Sequence, residues 1–273
     1  MTPVSGPPER AGDSLDPLAV LLRGFAVEFL SAQQWSSLER VMAPGYRLNV
    51  GGYLLEGRDT AYRAAMIPQF QQFPGLCVTL HDVLLGEQHL AMRFTEHGES
   101  LRDGGRRAAW QGVALFRAQN GRLIEGWAEE DYFSRKRQLR SGVCDRIEAP
   151  HLAPWDQRTL PADAGAEARA RAWLADPDAV GALMADPTAE DGTVPLRDFR
   201  IERTEVDALF AAGARVAFHA TFQGSLLCAP DAGGGREKRP AVLRAAGILT
   251  MRGGLPSDVR LVVDRLGFTR ALR

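Results

Sequence analysis

Three features of the chain predict an α+β fold, with helices packed against a curved antiparallel sheet, built twice in tandem. The first is an internal repeat. WQGVALFRAQNGRLIEGWAEEDYFSRKRQL, residues 110–139, aligns without a gap with LRAAGILTMRGGLPSDVRLVVDRLGFTRAL, residues 243–272, at a constant offset of 133. Upstream the offset becomes 126, where FTEHGES (94–100) meets ATFQGSL (220–226), so the second copy has the longer hairpin connection. The second feature is element order: each half opens on helical periodicity and closes on long alternating runs broken by glycine turns. The third is the stretch between them, RSGVCDRIEAPHLAPWDQRTLPADAG, which carries Pro150, Pro154 and Pro161 and little periodic pattern. The expected division is a disordered tail over 1–15, a pocket-bearing unit over 16–140, a linker over 141–164 and a shortened, degenerate unit over 165–273.

In the first half, Asp16-Pro17 is a good helix start, an acceptor side chain followed by a residue that lacks the unneeded N–H. Leu18, Leu21, Leu22, Phe25 and Phe29 then keep helical spacing, followed by Leu38, Val41 and Met42. A strand over 46–50 and a helix over 60–73 come next, and long strands follow from about Leu76. Asn120-Gly121 marks one tight turn and Gly253-Gly254 its counterpart. In the second half Ala168, Ala172, Trp173, Val180, Leu183 and Met184 repeat the opening helices more weakly, and a strand and a helix are missing before Phe199. The basic hairpin tips, Gly104–Arg107 and Gly233–Arg239, read as solvated ends, because no lysine-serine pair opens a helix there.

Charge and composition exclude several classes of function. Thirty-three basic residues against 34 acidic ones give a formal net charge of -1, so no global field draws the chain to nucleic acid or an anionic membrane. Cys77, Cys144 and Cys228 are too few and too far apart for a disulfide framework or a zinc site, which points to a reducing, cytoplasmic setting. The first residues lack a signal-peptide core, and no run is long and apolar enough to span a membrane. The five histidines show no metal-ligand spacing, and neither a nucleophile elbow, a phosphate loop nor a redox-cofactor signature is present. The expectation is no metal and no cofactor.

WSSLERVMAPGYRLNVGG, LEGRDTAYRAAM, FPGLCVTLHDVLLGEQHLAMRFTEHG and above all GRLIEGWAEEDYFSRKRQL carry a family likeness over residues 16–140. In order and spacing they resemble the SnoaL-like branch of the nuclear transport factor 2-like superfamily, which includes polyketide cyclases, ketosteroid isomerase and limonene epoxide hydrolase relatives. The resemblance implies a cone-like curved sheet wrapped on helices, and a last strand ending in tryptophan, three residues and an acid/base aspartate. Trp127 and Asp131 occupy those positions. Strict alternation puts Leu123, Glu125, Trp127, Glu129 and Asp131 on one side of that strand. If this side lines the cavity, burial raises the carboxyl pKa toward the range useful for moving a proton. The alternative is that Asp131 caps or anchors the C-terminal segment.

His97 is the second catalytic candidate, since family cyclases have a histidine in this neighbourhood. Parity, however, sets it with Arg93 and Thr95, opposite Met92, Phe94 and Glu96, so only a bulge would aim it inward. Asn49, Tyr46, Trp110, Glu125, Trp127 and Phe70 complete the candidate substrate-binding set, although core packing explains Phe70 equally well and a strand-edge amide explains Asn49.

In the second copy Asp264 coincides with Asp131, but Arg260 stands for Trp127, Leu243 for Trp110 and Gln223 for His97. This copy is therefore expected to have little or no pocket and to pair with the first as an intramolecular pseudo-dimer, which leaves room for a further homodimer. Two classes of function remain open. One is a cofactor-independent acid/base enzyme, catalysing an aldol-type cyclisation or isomerisation of a small hydrophobic polyketide-like or polycyclic substrate. The other is a non-catalytic ligand-binding or pairing module of the same fold.

Overall fold

The structure, a computed structural model, describes residues 14–184, 196–228 and 237–271. The expected tail and the tip at Gly233–Arg239 lie mostly outside these residues. Helix α1 (Pro17–Arg23) starts as the sequence predicts, with the Asp16 carboxylate accepting from the Leu18 N–H at 2.9 Å. It runs on into wider π-type turns over Gly24–Ser31 before α2 (Trp35–Val41). The buried stripe Leu21, Leu22, Phe25, Phe29, Leu38 and Val41 packs these turns onto the first sheet.

That sheet has six strands: β1 (Met42–Val50), β2 (Tyr53–Glu56), β3 (Cys77–Leu85), β4 (His89–Ser100), β5 (Arg106–Gln119) and β6 (Arg122–Glu130). Their order is β2-β1-β6-β5-β4-β3, antiparallel throughout except that β1 and β6 run parallel. Between β2 and β3, π-type turns over Gly57–Tyr62 lead into α3 (Arg63–Gln72); α4 (Tyr132–Ser141) follows β6 directly. The β5–β6 turn uses Asn120 and Gly121 with φ of 51° and 71°, the left-handed pair a two-residue hairpin requires.

From Gly142 the chain follows the β3 edge with little regular structure. His151 N donates to Leu80 O at 2.7 Å and Leu160 N to Leu85 O at 3.0 Å, so this segment satisfies backbone groups that an open edge would leave bare. Arg93 grips Glu148 with two bonds, at 2.6 and 2.9 Å.

The second sheet, β7 (Phe199–Ala212), β8 (Arg215–Cys228), β9 (Glu237–Arg252) and β10 (Leu255–Val263), has the order β10-β9-β8-β7. Helices α5 (Ala164–Leu174), α6 (Pro177–Met184) and α7 (Arg265–Ala271) accompany it. Its register repeats that of β3–β6. Leu80 faces Phe94 as Val206 faces Ala220, and Val113 faces Glu129 as Ala246 faces Val262. The irregularities recur as well, since the skipped residues Ile124 and Ser257 are 133 apart and His81 and Asp207 are 126 apart.

The two sheets pack face to face. Leu84, Ala91, Val113 and Leu115 of the first meet Phe210, Ala217, Ala246 and Ile248 of the second in one apolar cluster. Among the described residues, polar links across this seam include Arg215 to Asp82, His219 to Glu129, and Arg265 to Asp131. Among the described residues no helix is long and apolar enough to cross a membrane.

Candidate functional site

On its other face the first sheet curves around a cavity of about 630 Å³, closed by the π-type turns, α3 and α4. Its walls are Phe25, Tyr46, Tyr62, Met66, Met92, Phe94, Ala114, Phe116 and Ala128, and its polar groups include Gln69, Glu96, Glu130, Tyr132 and Arg135. Strand parity sets these positions. On β4, Met92, Phe94 and Glu96 all point into the cavity, as alternation predicts. On β6, the extra residue at Ile124 reverses the parity downstream: Leu123 and Ala128 share the helix-side core, and Glu130 follows Ala128 inward.

The expected orientation of β6 is therefore corrected. Glu125, Trp127, Glu129 and Asp131 lie on the opposite face. Glu125 pairs with Arg117 at 3.0 Å, and Trp127 packs at the seam between the sheets. Asp131 does not line the cavity. One of its carboxylate oxygens accepts from the Ser134 N–H at 3.1 Å, capping α4, and both oxygens bind the Arg265 guanidinium. This is the anchoring alternative, and Asp264 repeats the cap on α7 by accepting from the Gly267 N–H at 2.7 Å.

His97 points away from the cavity as parity implied, with Nε2 at 3.0 Å from the Thr79 hydroxyl. The bulge in this strand pair lies at His81 and does not turn it inward. Asn49 is a strand-edge amide, its Nδ2 reaching Gly126 O at 3.5 Å. Phe70 packs edge-on against Phe29 and Trp35 as core. Of the expected set only Tyr46 lines the cavity, while Trp110 lies beneath it and reaches it through one hydrogen bond.

That bond leads to the residues sequence reasoning passed over. Trp110 Nε1–H donates to Glu130 at 2.9 Å, and Gln69 Nε2 donates to Glu96 at 2.8 Å. Glu96 sits directly across the ladder from Trp110, which brings its carboxyl beside that of Glu130, and each bears on the other's protonation. Burial and the neighbouring Glu130 push the Glu96 carboxyl well above the usual range. Burial also raises Glu130, but less, because the Trp110 N–H, the Arg135 charge and the Tyr132 hydroxyl all favour its ionised form. Two carboxyls in one apolar site cannot both ionise readily, so the titrations of Glu96 and Glu130 are linked.

Arg135 is fixed beside the pair by stacking, its guanidinium carbon 5.0 Å from the Trp110 ring centre and 4.5 Å from that of Tyr132. The Tyr46 hydroxyl, buried in the cavity wall, has no hydrogen-bond partner among the described residues. Gly126 makes room for it, since a Cβ there would stand 2.2 Å from that oxygen. Among the described residues no three His, Cys, Asp or Glu side chains are grouped as a metal site would require.

Residues 23–126 match the SnoaL-like domain family, from the end of α1 into the middle of β6, so that Ala128, Glu130 and α4 lie beyond the match. No curated protein sequence matches the chain. Similar solved structures include TsrD of Streptomyces laurentii, at 24% identity over 46% of this chain and 98% of that one, with a TM-score of 0.41. The proposed polyketide cyclase IdmH of Streptomyces antibioticus is 18% identical over 45% and 98%, with a TM-score of 0.40. An epoxide hydrolase of M. tuberculosis resembling the limonene epoxide hydrolases is 16% identical over 46% and 92%, with a TM-score of 0.39.

The face of the second sheet that corresponds to the SnoaL-like cavity wall is filled. At the positions of Glu96, Trp110 and Phe116 stand Phe222, Leu243 and Leu249, packed with Phe199, Phe218 and Phe268 into one cluster.

Proposed function

We propose that the SnoaL-like domain is a cofactor-independent acid/base catalyst acting on a small hydrophobic molecule, by an isomerisation or an aldol-type cyclisation. The observation that carries this reading is the pair of buried carboxyls Glu96 and Glu130 lining an apolar cavity, where burial raises both and the two cannot both ionise readily. Such a pair offers a base to remove a proton beside a carbonyl and an acid to return it elsewhere. The unpartnered Tyr46 hydroxyl supplies a donor for the carbonyl oxygen as it gains charge. Asp131 and His97 have no part in this mechanism. The C-terminal half is a shortened copy of the same unit whose interior has closed, and the chain forms its pseudo-dimer internally.

A probe that needs no knowledge of the natural substrate tests the chemistry. Deuterium uptake beside the carbonyl of 2-tetralone in D₂O, followed by NMR, should run faster with the protein than in buffer. Glu130→Gln should remove roughly a hundredfold or more of that acceleration, while Asp131→Asn retains it. Loss of exchange in folded Asp131→Asn with Glu130→Gln active would overturn the assignment. No acceleration by the unaltered protein would favour the second reading, ligand binding without catalysis.

A further inference from the structure

The cavity of the SnoaL-like domain is completed by the other half of the chain. Its lining includes Arg244 from β9 and Arg270 from α7, together with Lys136 and Asp264. Arg244 is half-buried and reaches across the seam to Gly52, where a Cβ would stand 2.7 Å from the guanidinium carbon. Gly52 has a φ of 82°, so the β1–β2 turn both needs a glycine and leaves the space that the guanidinium uses. Neither the Arg244 nor the Arg270 side chain makes a hydrogen bond or salt bridge among the described residues, although the Arg244 charge acts on the buried Glu129 carboxyl.

The nearby carboxylates are otherwise engaged. Asp264 accepts from Gly267, Glu129 lies behind the sheet with His219, and Glu130 has Arg135 beside it. Two guanidiniums that line an apolar chamber without a side-chain hydrogen bond among the described residues have a clear chemical complement. Guanidinium offers parallel donors in a plane that matches a carboxylate, and the partial burial of Arg244, though not of the exposed Arg270, strengthens the bond.

We propose that Arg244 and Arg270 bind the carboxylate of an amphipathic substrate whose apolar body fills the cavity, so that the C-terminal half acts as the specificity element of the N-terminal site. This rests on the cavity being a ligand site, as argued above, and sets the substrate class as a hydrophobic acid. It gives the second half a role although its own interior is filled.

Calorimetric titration of the full chain with 2-naphthoic acid and with its uncharged methyl ester at pH 7.5 tests the proposal. The acid should bind at least roughly tenfold tighter than the ester, as a charge-assisted bond implies. In the Arg244→Gln/Arg270→Gln variant that preference should fall to roughly threefold or less with ester affinity unchanged. Arg244→Lys, which keeps the charge but not the fork, should retain an intermediate preference. Equal binding of acid and ester by the unaltered protein, or a preference that survives the double substitution, would overturn the proposal. Ala128→Phe, which fills the chamber, separates the two levels of the argument. If it expels both compounds while the acid shows no preference, only the anion site fails. If neither compound binds, or both bind despite Ala128→Phe, the cavity reading fails and this proposal with it.

Discussion

Replacing Asp131 separates anchoring from catalysis, because the two roles predict opposite losses. The carboxylate caps α4 through Ser134 N and binds Arg265 through both oxygens, and the two side chains are only 18% and 11% exposed. Removing one partner of a buried ion pair costs about 3–5 kcal/mol, because the other charge stays buried and unpaired. The residual exposure of this pair brings that nearer 2–4 kcal/mol, and loss of an N-cap adds about 1 kcal/mol. Asp131→Asn keeps an oxygen for the cap and one neutral bond to Arg265, so it should cost about 2–3 kcal/mol. Asp131→Ala should cost about 3–5 kcal/mol. Adding Arg265→Met to Asp131→Ala should restore most of the loss, since no charge is then stranded. Urea unfolding followed by both fluorescence and circular dichroism, with coincident transitions, measures these differences. An Asp131→Asn variant within about 0.5 kcal/mol of the parent, but without turnover, would refute the anchoring argument.

Other sites give further tests. Burial alone would lower the His219 pKa, but hydrogen bonds to Asp207 and Glu129 outweigh it and raise the value above the ordinary 6.5. Its contribution is therefore complete below the unfolded value and lost as pH rises through the folded one. Urea stability should decline above about pH 6.5 in the parent and markedly less in His219→Gln; parallel pH profiles would count against the link. Glu148 has the opposite sign. Its bonds to Arg93 hold its carboxyl below the ordinary 4.5, so its contribution is present above 4.5 and lost as pH falls through the depressed value. Protease cleavage after Arg146 should then accelerate in acid in the parent but vary little with pH in Glu148→Gln. Tyr46→Phe should leave stability unchanged or slightly higher, because the lost hydroxyl has no partner among the described residues, yet weaken 2-tetralone binding relative to tetralin. Gly126→Ala should cost about 1–3 kcal/mol through its clash with Tyr46, and a neutral result would show that the phenol moves freely.

The fold was readable where local rules govern it. Asp16-Pro17 starts α1, Asn120-Gly121 turns β5 into β6, and the offsets of 126 and 133 reappear as matched strand registers. The candidate site was less legible, and the cause is one residue. Alternation counts every residue of a strand, whereas Ile124 is extra in β6, so each side chain beyond it changes face. A family pattern ending in Asp131 reinforced the wrong side. The usable signal lay on β4, where Glu96 shares parity with Met92 and Phe94, because a carboxyl on the core face of a strand must be paired, protonated or functional.

The bulge that hid the site also helps to build it. Turning Glu125, Trp127 and Glu129 outward gives the sheet a mixed polar and apolar face, against which the second sheet closes through Trp127 and the Glu129–His219 pair. Turning Gly126, Ala128 and Glu130 inward puts two small residues and one acid on the concave side, and these leave space and supply a proton acceptor. In the second half the equivalent bulge at Ser257 persists, but the inward positions carry Val259, Leu261 and Val263, which pack against the core cluster. The same backbone device thus serves a cavity in one half and a filled interior in the other, where these side chains are larger and no counterpart of β1, β2 and α3 stands among the described residues. Ala128→Leu, which copies Leu261 into the first half, should therefore shrink the cavity and weaken 2-tetralone binding without lowering stability. Undiminished binding by that variant would show that the ligand lies elsewhere.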